Sequence, residues 1–193
     1  MEKDYLSSIK LPLIFAVIIF VISLMGGIFV IKGYPSVAES LLDELRRFAG
    51  QFEEADPLQR MAIILLNNAG KAFMSILLGA FLGIFPVFFL LINGAFIGIF
   101  SVYIMQNKGI RYLLAVILPH GVIEIPAVLI SAAIGIKIGM EFYSKVTDTG
   151  NISKELKIGV RFFFFWILPS LVLAAFIESF ITPITPIVMN FMA

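Results

Sequence analysis

The sequence predicts an all-α fold: a polytopic helical membrane bundle of five transmembrane helices, with one short amphipathic helix on the membrane surface. Three observations carry that prediction. The 193 residues are 60% hydrophobic and only 14% charged, with a mean hydropathy of +1.03, whereas a water-soluble domain has about a quarter of its residues charged. The apolar residues run unbroken for about 20 positions at a time, enough to cross a hydrocarbon core of ~30 Å at 1.5 Å per residue. The runs lack the alternation of ~10-residue barrel strands, which argues against an outer-membrane barrel. Composition also excludes functions. A net charge of +1 offers no field for nucleic acid, and the absence of cysteine removes disulfides, thiolate ligands and a Cys nucleophile.

The first predicted span covers residues 11–31. It is longer than a signal-peptide core and lacks a clear small-x-small cleavage site, so it reads as retained. After Lys32, Gly33 and Pro35 the polarity changes. Ser36 and Glu39 form a capping-box pattern, and Val37, Leu41, Leu45, Phe48 and Phe52 recur at helical spacing, giving a surface helix over 36–56. Its polar face carries Glu39, Asp43, Glu44, Glu53, Glu54 and Asp56 against Arg46 and Arg47. That is the wrong sign for anionic headgroups and suits a helix that covers the bundle or meets a membrane or envelope protein partner.

Asp56 followed by Pro57 marks a helix start. The second span covers 60–85 with a break at Pro86, the third 86–105, the fourth 111–138 and the fifth 158–181. A polar turn, Gln106 to Gly109, separates the third from the fourth, and 141–157 forms the second hydrophilic connection. Pro183 and Pro186 end the last helix. Lys137, Lys145, Lys154, Lys157 and Arg161 lie around that connection and the tail has no Lys or Arg, which places the N-terminus in the cytoplasm and the C-terminus outside the cell membrane. The sequon Asn151-Ile152-Ser153 then faces the cytoplasm, where it would not be used.

Glycines pair at Gly79/Gly83, Gly94/Gly98 and Gly135/Gly139, the spacing that lets membrane helices approach closely. The heptapeptides GAFLGIF (79–85) and GAFIGIF (94–100) are nearly identical. Helix packing within the bundle is the main expectation; a structural repeat or a homodimer through these glycine faces is the other.

Ionisable groups inside a span cost ~2.5–3.5 kcal/mol or more near its middle and need a partner or a task. Counted at 1.5 Å per residue from the same end, Asn68 lies about 12 Å in, His120 about 13 Å, Lys71 about 16 Å, Glu124 about 19 Å and Asn93 about 20 Å, with Glu178 shallower. All belong to one layer. The densest signal is LPHGVIEIP at 118–126, where His120 and Glu124 share a helix face and Pro119 and Pro126 each remove a helical hydrogen bond. Lys71 is placed to pair with Glu124 or Glu178. His120, Glu124 and Glu178 make a workable ligand set for a divalent metal, zinc or iron; a proton or ion site, or a structural polar cluster, uses the same residues. His-Glu-x-x-His, Gly-x-Ser-x-Gly and glycine-rich phosphate loops are absent from the sequence.

Asn67-Asn68 in the second span, Asn93-Gly94 in the third, Pro119-His120-Gly121-x-x-Glu124 with Gly135 in the fourth, and Glu178 before Thr182-Pro183 in the last together resemble the stage II sporulation protein M family. The resemblance covers nearly the whole chain. It implies a five-span membrane protein, a membrane scaffold that in spore-forming bacteria recruits cell-wall hydrolases during engulfment. By match, Asn68, Asn93, His120, Glu124 and Glu178 are the family's polar positions. Three functions follow as expectations: a scaffold that recruits a partner through the acidic helix 36–56, an ion- or proton-coupled small-solute permease built on the polar layer, and an intramembrane metal-dependent hydrolase with Glu124 or Glu178 as general base.

Overall fold

The computed structural model describes residues 2–34, separate positions between 36 and 50, 55–146 and 150–183. Among the described residues every regular element is a helix. A short helix α1, Glu2–Ser8, leads into α2, Lys10–Gly33. Helix α3, Pro57–Leu77, opens on Asp56, whose carboxylate accepts from the Leu58 and Gln59 amides at 2.8 and 2.9 Å. The Gln59 side chain accepts in return from the Asp56 amide, completing a capping box.

Helix α3 tightens into a single 3-10 turn at Leu78–Ala80 and ends in a sharp corner. The break expected at Pro86 lies earlier, at Leu82 (φ 57°) and Gly83 (φ 70°). The next helix starts at Ile84, so Pro86 occupies its first turn. A helix's first amides have no intrahelical acceptor, and proline there costs nothing. The polar turn expected at 106–109 also shrinks. Gln106, Asn107 and Lys108 remain helical, and Gly109 alone (φ 82°, ψ 169°) breaks the run Ile84–Val146 into α4 (84–108) and α5 (110–146). Helix α5 runs on through Pro119 and Pro126, eight residues beyond the expected end at 138. The last rod, α6, extends over Ile152–Ile181. It starts before the expected 158 because Asn151 caps it, accepting from the Lys154 amide at 3.0 Å.

Helices α4 and α5 fold back on each other about Gly109. Phe89 and Leu90 of α4 pack with Val128, Ala132, Ala133 and Ile136 of α5, and Ala16 and Phe20 of α2 complete this half of the core. The other half joins α1, α3, α5 and α6 through Tyr5, Ala72, Ile76, Ala127, Ile134, Ile138, Phe163, Ile167 and Leu171, with Ile9 between α1 and α2. Helix α5 is therefore the central column, with Ser131 to Ile136 buried without interruption. Backbone nearly touches backbone at two seams. Gly27, Gly94 and Gly98 close α2 against α4, where an added Cβ would strike Ala95, Phe20 or Leu24 main-chain atoms. Gly79, Gly83, Gly135 and Gly139 close the α3 corner against α5. The glycine faces are thus occupied within the chain. The two similar heptapeptides do different work, one forming the corner and the other a mid-helix seam.

The outward faces are as apolar as the core. On α2 alone Leu11, Ile14, Phe15, Ile18, Ile22, Met25 and Phe29 are exposed. Contiguous apolar surface of this extent on every long helix is a lipid-facing surface. Four helices, Lys10–Gly33, Pro57–Ala80, Ile84–Ser144 and Ile152–Ile181, are long and apolar enough to cross a membrane. The surface helix expected over 36–56 lies largely outside the described residues. Its described positions from Ser36 to Gly50 are helical, with Leu42 buried and Glu39, Asp43 and Arg47 exposed.

Candidate functional site: a polar cluster between three apolar helices

Three helices bring side chains to one point. His120 and Glu124 stand one turn apart on α5, and Glu178 faces them from α6. One ligand-capable atom of each lies within 4.8 Å of the others, and all three residues are partly buried. Asn68 of α3 joins them, its Nδ2 donating to Glu124 Oε1 at 2.9 Å. Asn67 Nδ2 donates in turn to Asn68 Oδ1 at 3.1 Å, so a short chain of amides orients the carboxylate.

Local helix geometry sets the position of Glu178. It sits in the π turn Ile177–Ile181, where the Thr182 amide reaches back to the Ile177 carbonyl at 2.8 Å rather than to that of Glu178. Pro183 has no amide to offer. The extra residue per turn swings the carboxyl group round the helix axis, and such turns recur at functional sites. A second π turn, Phe163–Ile167, precedes Pro169.

Two carboxylates so close together in apolar surroundings repel each other unless a cation or a shared proton lies with them. His120 adds a nitrogen donor, and its Nδ1 is buried with no hydrogen-bond partner among the described residues. The buried Ser179 hydroxyl beside Glu178 is likewise unpartnered. One imidazole and two carboxylates fit a divalent metal of the zinc or iron class with a coordination position left over. The donor types suit such an ion, and ligand atoms up to 4.8 Å apart would have to draw closer to share one ion held at about 2 Å.

The other two residues expected in the layer behave differently. Asn93 of α4 donates to its own helix, to the Phe89 carbonyl at 2.7 Å. Lys71 is exposed and makes no hydrogen bond or ion pair among the described residues, although its charge interacts with that of Glu124. The salt bridge expected there is not formed within 4 Å.

A second polar cluster, toward the other end of α5, escaped the sequence reading. Lys137 Nζ pairs with Glu155 Oε2 at 2.9 Å, donates to Ser8 Oγ at 2.8 Å and lies 4.8 Å from the centre of the Tyr5 ring. Tyr5 also meets the Phe162 ring at 5.7 Å. Burial, and less strongly Glu155, push the Tyr5 phenol above its ordinary pKa. This cluster pins α1 against α5 and α6. The signal in the sequence was Lys137 itself, an ionisable residue inside an apolar run; its partners Ser8 and Glu155 are remote in sequence.

The family model for stage II sporulation protein M matches residues 16–183. MJ0793, an uncharacterized protein of Methanocaldococcus jannaschii, is 35% identical over 82 residues, which is 41% of this chain and 46% of that protein. The chain thus matches less than half the length of that relative. No solved structure matches it. The matched segment contains every helix that builds the polar cluster, and on that match the chain belongs to the stage II sporulation protein M family of membrane proteins.

Proposed function

We propose that this protein crosses the membrane five times and binds a divalent metal ion of the zinc or iron class inside the bundle, on His120, Glu124 and Glu178. The observation that supports this most is the convergence of the three ligand-capable side chains within 4.8 Å, from two helices remote in sequence. The hairpin at Gly109 divides the longest apolar helix into two crossings and so supports the count of five. The N-terminus is then cytoplasmic and the C-terminus outside.

Three protein ligands with an open position is the arrangement of catalytic rather than structural zinc. The chemistry such an ion supplies is an activated water or a polarised carbonyl or phosphoryl oxygen. Within the chain, Asn68 orients the Glu124 carboxylate and the surrounding apolar side chains exclude bulk water. The test is elemental analysis of detergent-purified protein prepared without chelator, comparing wild type with His120→Ala and Glu178→Gln. Near-stoichiometric zinc or iron, lost in both variants, supports the site. Absence of metal from wild type, with no uptake on titration with zinc, overturns it and leaves a shared-proton site of the kind a permease uses.

Partner recruitment is the second reading, and it belongs to the segment 36–56. Leu42 is buried while Glu39, Asp43 and Arg47 are exposed, which supports a helix that turns its charged side outward. Reversing those charges should abolish co-purification of a membrane or envelope partner; retained co-purification would end this reading.

A further inference from the structure

Helix α3 carries one polar strip. Asn67, Asn68, Lys71 and Ser75 recur at spacings of three and four, so they share a face of that helix. Two of them bear directly on α5: Asn68 donates to Glu124 at 2.9 Å, and the Ser75 carbonyl lies against Gly135. Lys71 stands between those two contacts, three residues and a rise of about 4.5 Å from Asn68. Its charge interacts with that of Glu124, although the two groups are beyond ion-pair distance. The side chain is exposed, on a four-carbon stem of rotatable bonds that leaves the ammonium free to cover the remaining gap.

The cluster needs positive charge. Glu124 and Glu178 each bring a carboxylate oxygen within 4.8 Å of the other and of His120, and both stay ionised there only beside a cation. Two cations have access to Glu124. One is a divalent ion on His120, Glu124 and Glu178; the other is the Lys71 ammonium, which α3 tethers one turn from the residue that already holds that carboxylate. They exclude each other, because Asn68 takes up part of Glu124 and two cations a few ångströms apart repel strongly inside a protein.

We propose that Lys71 is a tethered competitor for the metal: its ammonium swings onto Glu124 when no divalent ion is bound and is displaced to the exposed position when one binds. The proposal rests on the metal reading and adds to it the regulation of that site. Entry and release of the ion then exchange one cation for another, and the carboxylate pair is never left bare inside the bundle.

The experiment is zinc titration, against a coloured competing chelator, of detergent-purified wild type, Lys71→Met and Lys71→Arg, with His120→Ala as the reference for a broken site. Lys71→Met should bind zinc about tenfold more tightly, because the competing pair is gone, and Lys71→Arg should bind like wild type because the charge is kept. A lysine that only supported the ligands would weaken binding when removed, so the sign of the change separates the two roles. The second readout is acylation of wild-type lysines by an amine-specific reagent with and without zinc, followed peptide by peptide by mass spectrometry. Zinc should raise labelling of Lys71 several-fold and leave the other lysines unchanged. Equal or weaker zinc binding in Lys71→Met, or Lys71 labelling that does not respond to zinc, overturns the proposal while the metal site stands. Zinc bound by neither wild type nor Lys71→Met ends the metal reading and this proposal together.

Discussion

Gly135→Ala adds one methyl group at one of the two tight glycine seams of the bundle. The new Cβ would lie 2.6 Å from Pro86 Cγ and 3.1 Å from the Ser75 carbonyl carbon, and still closer to the Ser75 oxygen. Two of these atoms are main chain and the third belongs to a rigid ring, so none can rotate away. Overpacking of this kind costs about 1–3 kcal/mol, against a gain of about 0.5–1 kcal/mol from replacing a helical glycine. With rigid neighbours the net is a loss of about 2 kcal/mol, or about 4–8 °C for a chain of this size. Gly26→Ala is the matched control. That glycine is also helical, but a Cβ there meets nothing within 4 Å, so only the helical gain remains and the apparent Tm should rise by about 1–4 °C. The assay is thermal unfolding of both variants in one detergent at one scan rate, followed by the fluorescence of the single tryptophan, Trp166. Because Ser75 and Asn68 lie on the same helix, prying α3 from α5 should also weaken the Asn68–Glu124 hydrogen bond and lower metal uptake. A Gly135→Ala protein that melts at or above Gly26→Ala would refute the seam as described.

Asn68→Leu should leave the fold intact and weaken zinc binding about 10–100-fold in a competition titration with a coloured chelator, because the Glu124 carboxylate loses the donor that orients it. Lys137→Met should cost about 3 kcal/mol, since Glu155 is only 13% exposed and would lose its counter-ion, whereas Lys137→Met combined with Glu155→Leu should recover most of the loss in thermal unfolding. The raised Tyr5 pKa has a definite sign: the folded state favours the protonated phenol, so its contribution is complete below the ordinary value of about 10 and is lost as pH rises above it. Tyr5→Phe should flatten that alkaline fall in stability; an unchanged slope would show that Tyr5 is not its source.

Much of the fold was legible because bilayer thickness fixes how many apolar residues a helix needs. The Asp56-Pro57 start was readable from local chemistry alone, since the cap and the amides that donate to it lie within three residues. The break assigned to Pro86 was misplaced for a physical reason. Proline ends a helix only where its missing amide is needed, and here it falls in a first turn, while the corner is made by Leu82 and Gly83. The layer of polar residues was legible by depth, but depth does not give direction round the helix. Asn93 has the right depth and bonds its own helix, and Lys71 has the right depth but stays exposed, beyond ion-pair distance of Glu124.

By itself the sequence determined an all-helical membrane protein, because an average hydropathy this high leaves water no surface to solvate. It also determined that His120 and Glu124 share a face, because four residues make about one helical turn. Only the tertiary structure decided that Glu178 completes their cluster, since no residue spacing specifies how two helices are rotated against each other, and Glu178 lies in a π turn, which departs from the regular helical rotation. The same holds for Lys137, whose partners Ser8 and Glu155 meet it only once α1 and α6 dock on the column of α5.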